Sequence, residues 1–214
     1  QDKRMIEIFN NDEDIHKATA AAINNMPLEK VTKAMRYAAK EVNFGVLYGM
    51  GPYGLSWRAG ISQAEARDFI RKYFEAFSGV REYIDRTLEF TKKEGYCETL
   101  FGRRRYLPEL NAGNFQLRAA AERMAINHPI QGTAADLMKM AMIEVRKRLA
   151  NGPKLIADST KLILQVHDEL VLEVKKELAE EVAKLVQNIM ETVVTLRVPV
   201  KVGLSINRSW GEMK

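Results

Sequence analysis

LILQVHDELVLEV, residues 162–174, is apolar and β-forming at both ends and polar only in its middle. Two runs rich in Val, Leu and Ile, about 161–166 and 169–174, have the length and composition of strands. His167 and Asp168 fall between them, where a tight two-residue turn is required. The apolar flanks predict a sheet covered on both faces and open only at its tip. A turn tip is where side chains reach solvent or a ligand. Asp168 and Glu169, adjacent there, repel each other unless a cation joins them. A hard cation such as Mg²⁺ takes one or two carboxylates and fills its shell with water and substrate phosphates. A plain polar hairpin turn accounts for the same letters, so the tip alone leaves both readings open.

Outward from the hairpin, the periodicity changes. KELAEEVAKLVQNIMETV (176–193) predicts an amphipathic helix with Leu178, Val182, Leu185, Ile189 and Val193 on its apolar side, and VPVKVGLSI (198–206) a last strand. Upstream, GTAADLMKMAMIEVRKRLA (132–150) predicts a helix closed by Gly152 and Pro153, and NFQLRAAAERMAINH (114–128) another that stops before Pro129. YCETLFGRRRYLPEL (96–110) predicts a small, strongly basic hairpin or loop. The N-terminal part is helical throughout. Acidic residues open 11–25, a short helix follows Pro27, and a longer one ends at Gly49. Ser62 and Glu65 form a capping box for a helix reaching about Phe77, and Gly79 separates it from one ending at Lys92, Lys93 and Gly95. GMGPYG (49–54) spells G-x-G-x-x-G but follows a helix and contains proline, so a loop is expected and a dinucleotide site is not. The fold class is α+β: a mainly helical block, then a block with a small antiparallel sheet.

The chain has 214 residues, a formal net charge of +5, three histidines and one cysteine, Cys97. A modest basic excess is compatible with nucleic acid and with much else. An internal disulfide is impossible, zinc-ligand spacing is absent, and a cytoplasmic location is expected. No apolar run is long enough for a membrane span. The opening QDKRMIEIF has neither an initiator Met nor a signal-peptide pattern, which suggests a piece of a longer chain.

RYAAKEVNFGVLYG (36–49) carries a sharper pattern. Arg36, Lys40, Phe44 and Tyr48 are four apart, so successive members rotate by about 40° and form one gently spiralling stripe on a helix. Two cations one turn apart suit a phosphate chain, and an aromatic one turn further suits a base or sugar. A solvated cationic face with a buried aromatic end is the competing reading.

Arg36-x₃-Lys40-x₃-Phe44-x₃-Tyr48-Gly49 resembles motif B of the family A DNA polymerases, and QVHDELV (165–171) resembles their motif C. DIHKATA (14–20), residues 95–110, AAAERMAINHPIQGTAADLMK (119–139) and VPVKV (198–202) resemble the same family in the same order, over essentially the whole chain. The resemblance implies a fingers subdomain at 1–113 and the C-terminal part of a palm at 114–214. It implies a DNA-directed DNA polymerase acting on dNTPs and primer-template DNA. His16, Arg36, Lys40, Phe44 and Tyr48 would face the nucleotide, with Lys40 also donating a proton to the leaving pyrophosphate. Arg123, Asn127, Gln131 and His167 would face the primer-template, and Arg103, Arg104 and Arg105 its backbone. Asp168 would bind metal, assisted by Glu169, in a site of two Mg²⁺ ions. Tyr37 stands where some relatives carry a second arginine. The family's other metal carboxylate belongs to a motif A that is not found in these residues. The resemblance therefore implies a chain that needs an upstream palm and thumb portion to act. The alternatives are a single-subunit RNA polymerase, against which Phe44 and the HDE triplet argue, and a non-catalytic primer-template-binding module.

Overall fold

The computed structural model describes residues 2–213. The chain forms two compact units, Gln1–Gly132 and Thr133–Lys214. The division falls inside one helix, between Gly132 and Thr133.

The first unit is mainly helical. α1 (Lys3–Asn10) was not foreseen; Asp2 caps it by accepting from the Met5 amide at 2.9 Å. α2 (Ile15–Asn24) starts at Asp14, whose carboxylate accepts from the amides of His16 and Lys17, and ends on Asn25 in the left-handed region. After a 3₁₀ turn at Leu28–Lys30, Thr32 caps α3 (Lys33–Leu47). The glycine-rich stretch then corrects the loop reading: Pro52 opens a further helix, α4 (Pro52–Ala59), because a proline at the first helical position gives up no hydrogen bond. α5 (Gln63–Ala76) carries the expected reciprocal capping box. α6 (Ser78–Glu94) ends at Gly95 with φ +78°. The break between the two lies at Phe77, φ −128°, and Gly79 lies just inside α6. Val42, Val46, Leu55, Tyr73, Phe77 and Val80 form the core these helices share.

β1 (Tyr96–Glu98) and β2 (Arg104–Tyr106) pair antiparallel as the expected basic hairpin. Its Cys97, with Leu107 and Leu110, packs on Ala121 and Ala125 of α7 (Phe115–Asn151). That packing places the first turns of α7 in the first unit. α7 also corrects the expected stop at Pro129, which it passes through. A proline removes one rung and costs about 3 kcal/mol in a helix interior. Here buried residues on both sides, Ala125 and Ile126 before it and Ala141 and Val145 after it, hold the helix through that loss.

In the second unit, α8 (Lys154–Ser159), also unforeseen, leads into β3 (Thr160–Val166). β4 (Glu169–Val174) pairs antiparallel with it, Val166 opposite Glu169 and Thr160 opposite Val174, with an irregularity between Leu162 and Leu164. Leu170, Leu172 and Val174 pack on a core of Val145, Leu149, Ile156, Val182, Val186 and Ile189, the last three from α9 (Ala179–Thr192). The other face is not covered as expected: Ile163 and Leu164 are 51% and 44% exposed. Residues 198–206 do not form the expected strand. A strand exists by its ladder, and here Val202 bonds to side chains of α9 instead: its amide donates to Glu191 Oε1 at 2.9 Å and its carbonyl accepts from Gln187 Nε2 at 2.7 Å. No described helix is long and apolar enough to cross a membrane.

Gly79 lies hard against the backbone of Asp2. A Cβ there would lie 2.6 Å from Asp2 Cα, and the Gly79 amide donates to Asp2 Oδ2 at 2.9 Å. Neither backbone can yield cheaply, so Gly79→Ala is expected to destabilise by about 1–3 kcal/mol, as overpacked sites do. Gly113→Ala, with open space around the added methyl, should leave the melting temperature almost unchanged. Thermal unfolding of the two variants checks this.

Candidate nucleotide and metal site

α3 turns Ala39, Val42 and Val46 into the core and leaves Arg36, Lys40 and Phe44 exposed, with Tyr48 half-buried at its C-cap. The stripe read from the sequence is therefore one open helix face. α2 packs beside it and brings His16 to the stripe: the His16 and Phe44 rings are 5.6 Å apart, and Phe44 and Tyr48 lie nearly parallel at 6.3 Å. Arg36 Nε donates to Asp14 Oδ2 at 2.6 Å. This pair is exposed on both sides, so it is worth about 0–1 kcal/mol, and an arriving anion can compete for the guanidinium.

Burial would push the Asp14 carboxyl up, but the Lys17 amide, the Arg36 guanidinium and the His16 amide together hold it below the usual range. His16 is held below its usual pKa, chiefly by burial and further by Arg36 and Lys40, against the opposing pull of Asp14. The face thus presents two fixed cations beside a neutral imidazole, an arrangement that attracts anions without a third permanent charge.

Sequence reasoning missed what holds the imidazole. Asn43 Nδ2 lies 2.9 Å from His16 Nδ1, and Asn43 Oδ1 lies 3.1 Å from Thr19 Oγ1. Asn43 and Thr19 are both buried. A polar residue at 43, between the core positions Val42 and Val46, was the available clue.

At the C-terminal end of the stripe, Gly49 (φ +72°) lies against α7: a Cβ there would stand 3.2 Å from Arg123 Cγ and 3.4 Å from Ile126 Cδ1. Tyr83 donates to the Ile126 carbonyl at 2.8 Å and braces the same turn. Arg123 and Gln131 are exposed and Asn127 is half-buried, with its Oδ1 out of reach of water and without a hydrogen-bond partner. The three basic hairpin residues are each engaged. Arg103 donates to the Gly132 carbonyl at 2.8 Å, Arg104 lies 4.3 Å above the Tyr96 ring, and Arg105 reaches Met124 Sδ at 3.0 Å. All three stay exposed, so the fold orients them without hiding their charge.

In the second unit, the hairpin tip is as tight as foreseen. His167 takes φ +53°, a left-handed value that two-residue hairpin turns demand and a non-glycine residue adopts at a cost of about 1–2 kcal/mol. The Gln165 side-chain amide donates to the His167 carbonyl and pins the turn. His167, Asp168 and Glu169 are all exposed. Among the described residues no three His, Cys, Asp or Glu side chains gather as a metal cluster. Two adjacent carboxylates on a pinned turn are a fitting part of a Mg²⁺ ligand set, which needs further oxygens from elsewhere.

The lowered His16 pKa sets a direction for stability. The unfolded chain binds the proton first as pH falls, so folded stability is complete above about 6.5, the ordinary histidine value, and declines as pH drops from there through the lowered folded value. Asp14 adds a second loss, below about 3.8, as its stabilised carboxylate is protonated. Melting temperatures measured from pH 7.5 to 5 should fall, and His16→Gln should flatten that part of the profile while leaving the acid limb in place. An unchanged slope in the variant would contradict a neutral, half-buried His16.

Comparison with known proteins identifies the family and the fold. Residues 1–212 match the family model for DNA polymerase family A. The chain is 47% identical over 214 residues to DNA polymerase I of Bacillus caldotenax, covering 100% of this chain and 24% of that protein. It is 49% identical over 209 residues to the thermostable DNA polymerase I of Thermus aquaticus, covering 98% and 24%. Its fold superposes with TM-score 0.91, at 40% identity, on the polymerase domain of Pol1 from M. smegmatis, solved with DNA primer-template and dNTP, covering 99% of this chain and 37% of that one. The chain spans about a quarter of the length of these curated relatives. With the family match running over residues 1–212, the chain belongs to DNA polymerase family A.

Proposed function

We propose that this chain forms the fingers and the C-terminal part of the palm of a DNA-directed DNA polymerase, with the subdomains meeting near residue 113. The observation that carries this reading is the α3 face: Arg36 and Lys40 exposed one turn apart, with His16, Phe44 and Tyr48 continuing the same surface. A dNTP supplies what that face lacks, a chain of phosphate oxygens beside a sugar and base. Arg36 and Lys40 bind the phosphates as charge-assisted donors. Lys40 also holds a proton at Nζ that the departing pyrophosphate can take. Phe44 borders the sugar and base, and Tyr48 closes the pocket against α7.

Arg123, Asn127 and Gln131 supply guanidinium and amide donors at successive turns of α7. The acceptors of the DNA minor groove are shared by all base pairs, so such donors test pair shape without reading sequence. His167 contacts the primer end, and Arg103, Arg104 and Arg105 track phosphates, where sequence-independent affinity resides. Asp168 is the metal-binding carboxylate and Glu169 assists it. When bound, two Mg²⁺ ions stabilise the attacking and leaving oxygens of an in-line displacement of pyrophosphate by the primer 3′-OH. The further carboxylate such a site needs comes from a palm segment outside these residues, so the chain acts together with the rest of the polymerase.

A non-catalytic primer-template-binding module would use the same α7 and hairpin surfaces but would have no use for the tip carboxylates. Asp168→Ala in the complete polymerase separates the two. The expected result is loss of primer extension by several orders of magnitude with primer-template affinity within about threefold of wild type, because two-metal chemistry collapses while phosphate contacts remain. Extension at the wild-type rate would remove Asp168 from the metal site.

A further inference from the structure

Thr19, Asn43 and His16 form a line of hydrogen bonds whose proton count is constrained. Thr19 Oγ1 is within 2.7 Å of the Ile15 carbonyl and 3.1 Å of Asn43 Oδ1, yet it has one proton to give. The Ile15 carbonyl already lies in the α2 ladder. Asn43 Oδ1 is in a residue only 3% exposed, where an unserved acceptor costs about 1–3 kcal/mol. The hydroxyl therefore has more to satisfy at Asn43. With Oδ1 turned to Thr19, the Asn43 amide presents N–H to His16 Nδ1 at 2.9 Å. An imidazole nitrogen that accepts a hydrogen bond carries no proton, so with the amide in this orientation the neutral ring holds its proton on Nε2; the amide turned over would accept from Nδ1–H and donate to Thr19 Oγ1 instead.

We infer that Asn43, oriented by Thr19, is a positioning residue that fixes the neutral His16 ring as the Nε2–H tautomer, so that the ring atom away from Asn43 is a hydrogen-bond donor. The groups facing the ring are Asp14 of α2 and Arg36, Lys40, Phe44 and Asn43 of α3. The relevance to nucleotide rests on the reading proposed above: phosphate oxygens only accept, so an uncharged His16 is useful to them only with its proton on Nε2. The opposite tautomer would offer them a lone pair. Protonation of the ring is compatible with the same outward donor, but requires the Asn43 amide to turn over and present Oδ1 to the new Nδ1–H. The side chain at 43 thus decides which ring states are available.

Histidine ¹⁵N NMR on the full chain, with His16 assigned by loss of its signals in His16→Gln, reads the tautomer directly. The spectra are taken without nucleotide, so they succeed or fail independently of the polymerase reading, which the turnover assay tests. Above the His16 pKa the wild type should show a protonated Nε2 and a bare Nδ1. Asn43→Asp places an acceptor-only carboxylate at Nδ1. It should move the proton to Nδ1 and raise the His16 pKa by about one unit or more, as a carboxylate neighbour does. Thr19→Val keeps the shape of the site and removes the proton that orients Asn43, so the Nδ1–H form should become populated. A wild-type ring protonated on Nδ1, or a tautomer and pKa unchanged in both variants, would overturn the inference. A mere brace between helices would lower the melting temperature of both variants and leave the ring signals where they were.

Discussion

A helix face of the kind proposed for anion binding must keep its cations in water and its backbone out of it, and α3 meets both demands by dividing itself lengthwise. Val42 and Val46 anchor one side in the core of the first unit, while Arg36 and Lys40 stand on the other. Between the two sides runs the buried polar seam of Thr19 and Asn43, which joins α2 to α3 and delivers His16 to the open face. Apolar packing alone would hold the helices together but would leave their rotation loosely set. A seam whose every donor needs its acceptor admits far fewer alternatives. The remaining features of the face depend on that registration: the Arg36–Asp14 pair, the His16–Phe44 contact and the Phe44–Tyr48 stack all cross or follow it.

The hairpin tip solves a different problem with similar means. Two carboxylates at a turn gain nothing from burial, so their position has to come from the backbone. His167 accepts a left-handed conformation to keep the turn to two residues, and the Gln165 side chain ties the turn from within. The strands behind it are seated by Leu170, Leu172 and Val174 against α7, α8 and α9. Their opposite face, with Ile163 and Leu164 in the open, is unspent apolar surface of the kind that a larger sheet or a covering element uses.

Much of this was legible before any coordinates. The hairpin bounds, the helix carrying the stripe, the capping box and the basic hairpin were readable because each rests on local chemistry: turn length, four-residue spacing, side-chain caps. The helix opened by Pro52 was local chemistry left unread, but in other misreadings tertiary contacts overrode local rules. Pro129 does not end its helix because packing on both sides carries it through. Residues 198–206 look like a strand, but their polar groups are satisfied by Gln187 and Glu191. The sheet faces were judged by apolar content, which reports what could be covered and not what is. At the site, Arg36, Lys40, Phe44 and Tyr48 could be placed on one face by counting. His16 could be grouped with them only through the family resemblance, and its hold by Asn43 could not be read at all, because those partners are 27 residues apart and no period links them.

The central claim is that these residues carry a nucleotide-binding face and part of a metal site, and that turnover needs the rest of the polymerase. Primer extension with this chain, Mg²⁺ and all four dNTPs, with and without the remaining palm and thumb supplied as a separate polypeptide, tests it most directly. Extension only in the presence of the second polypeptide is the predicted result. Extension by this chain alone would mean that another carboxylate within it completes the metal site, and would contradict the account.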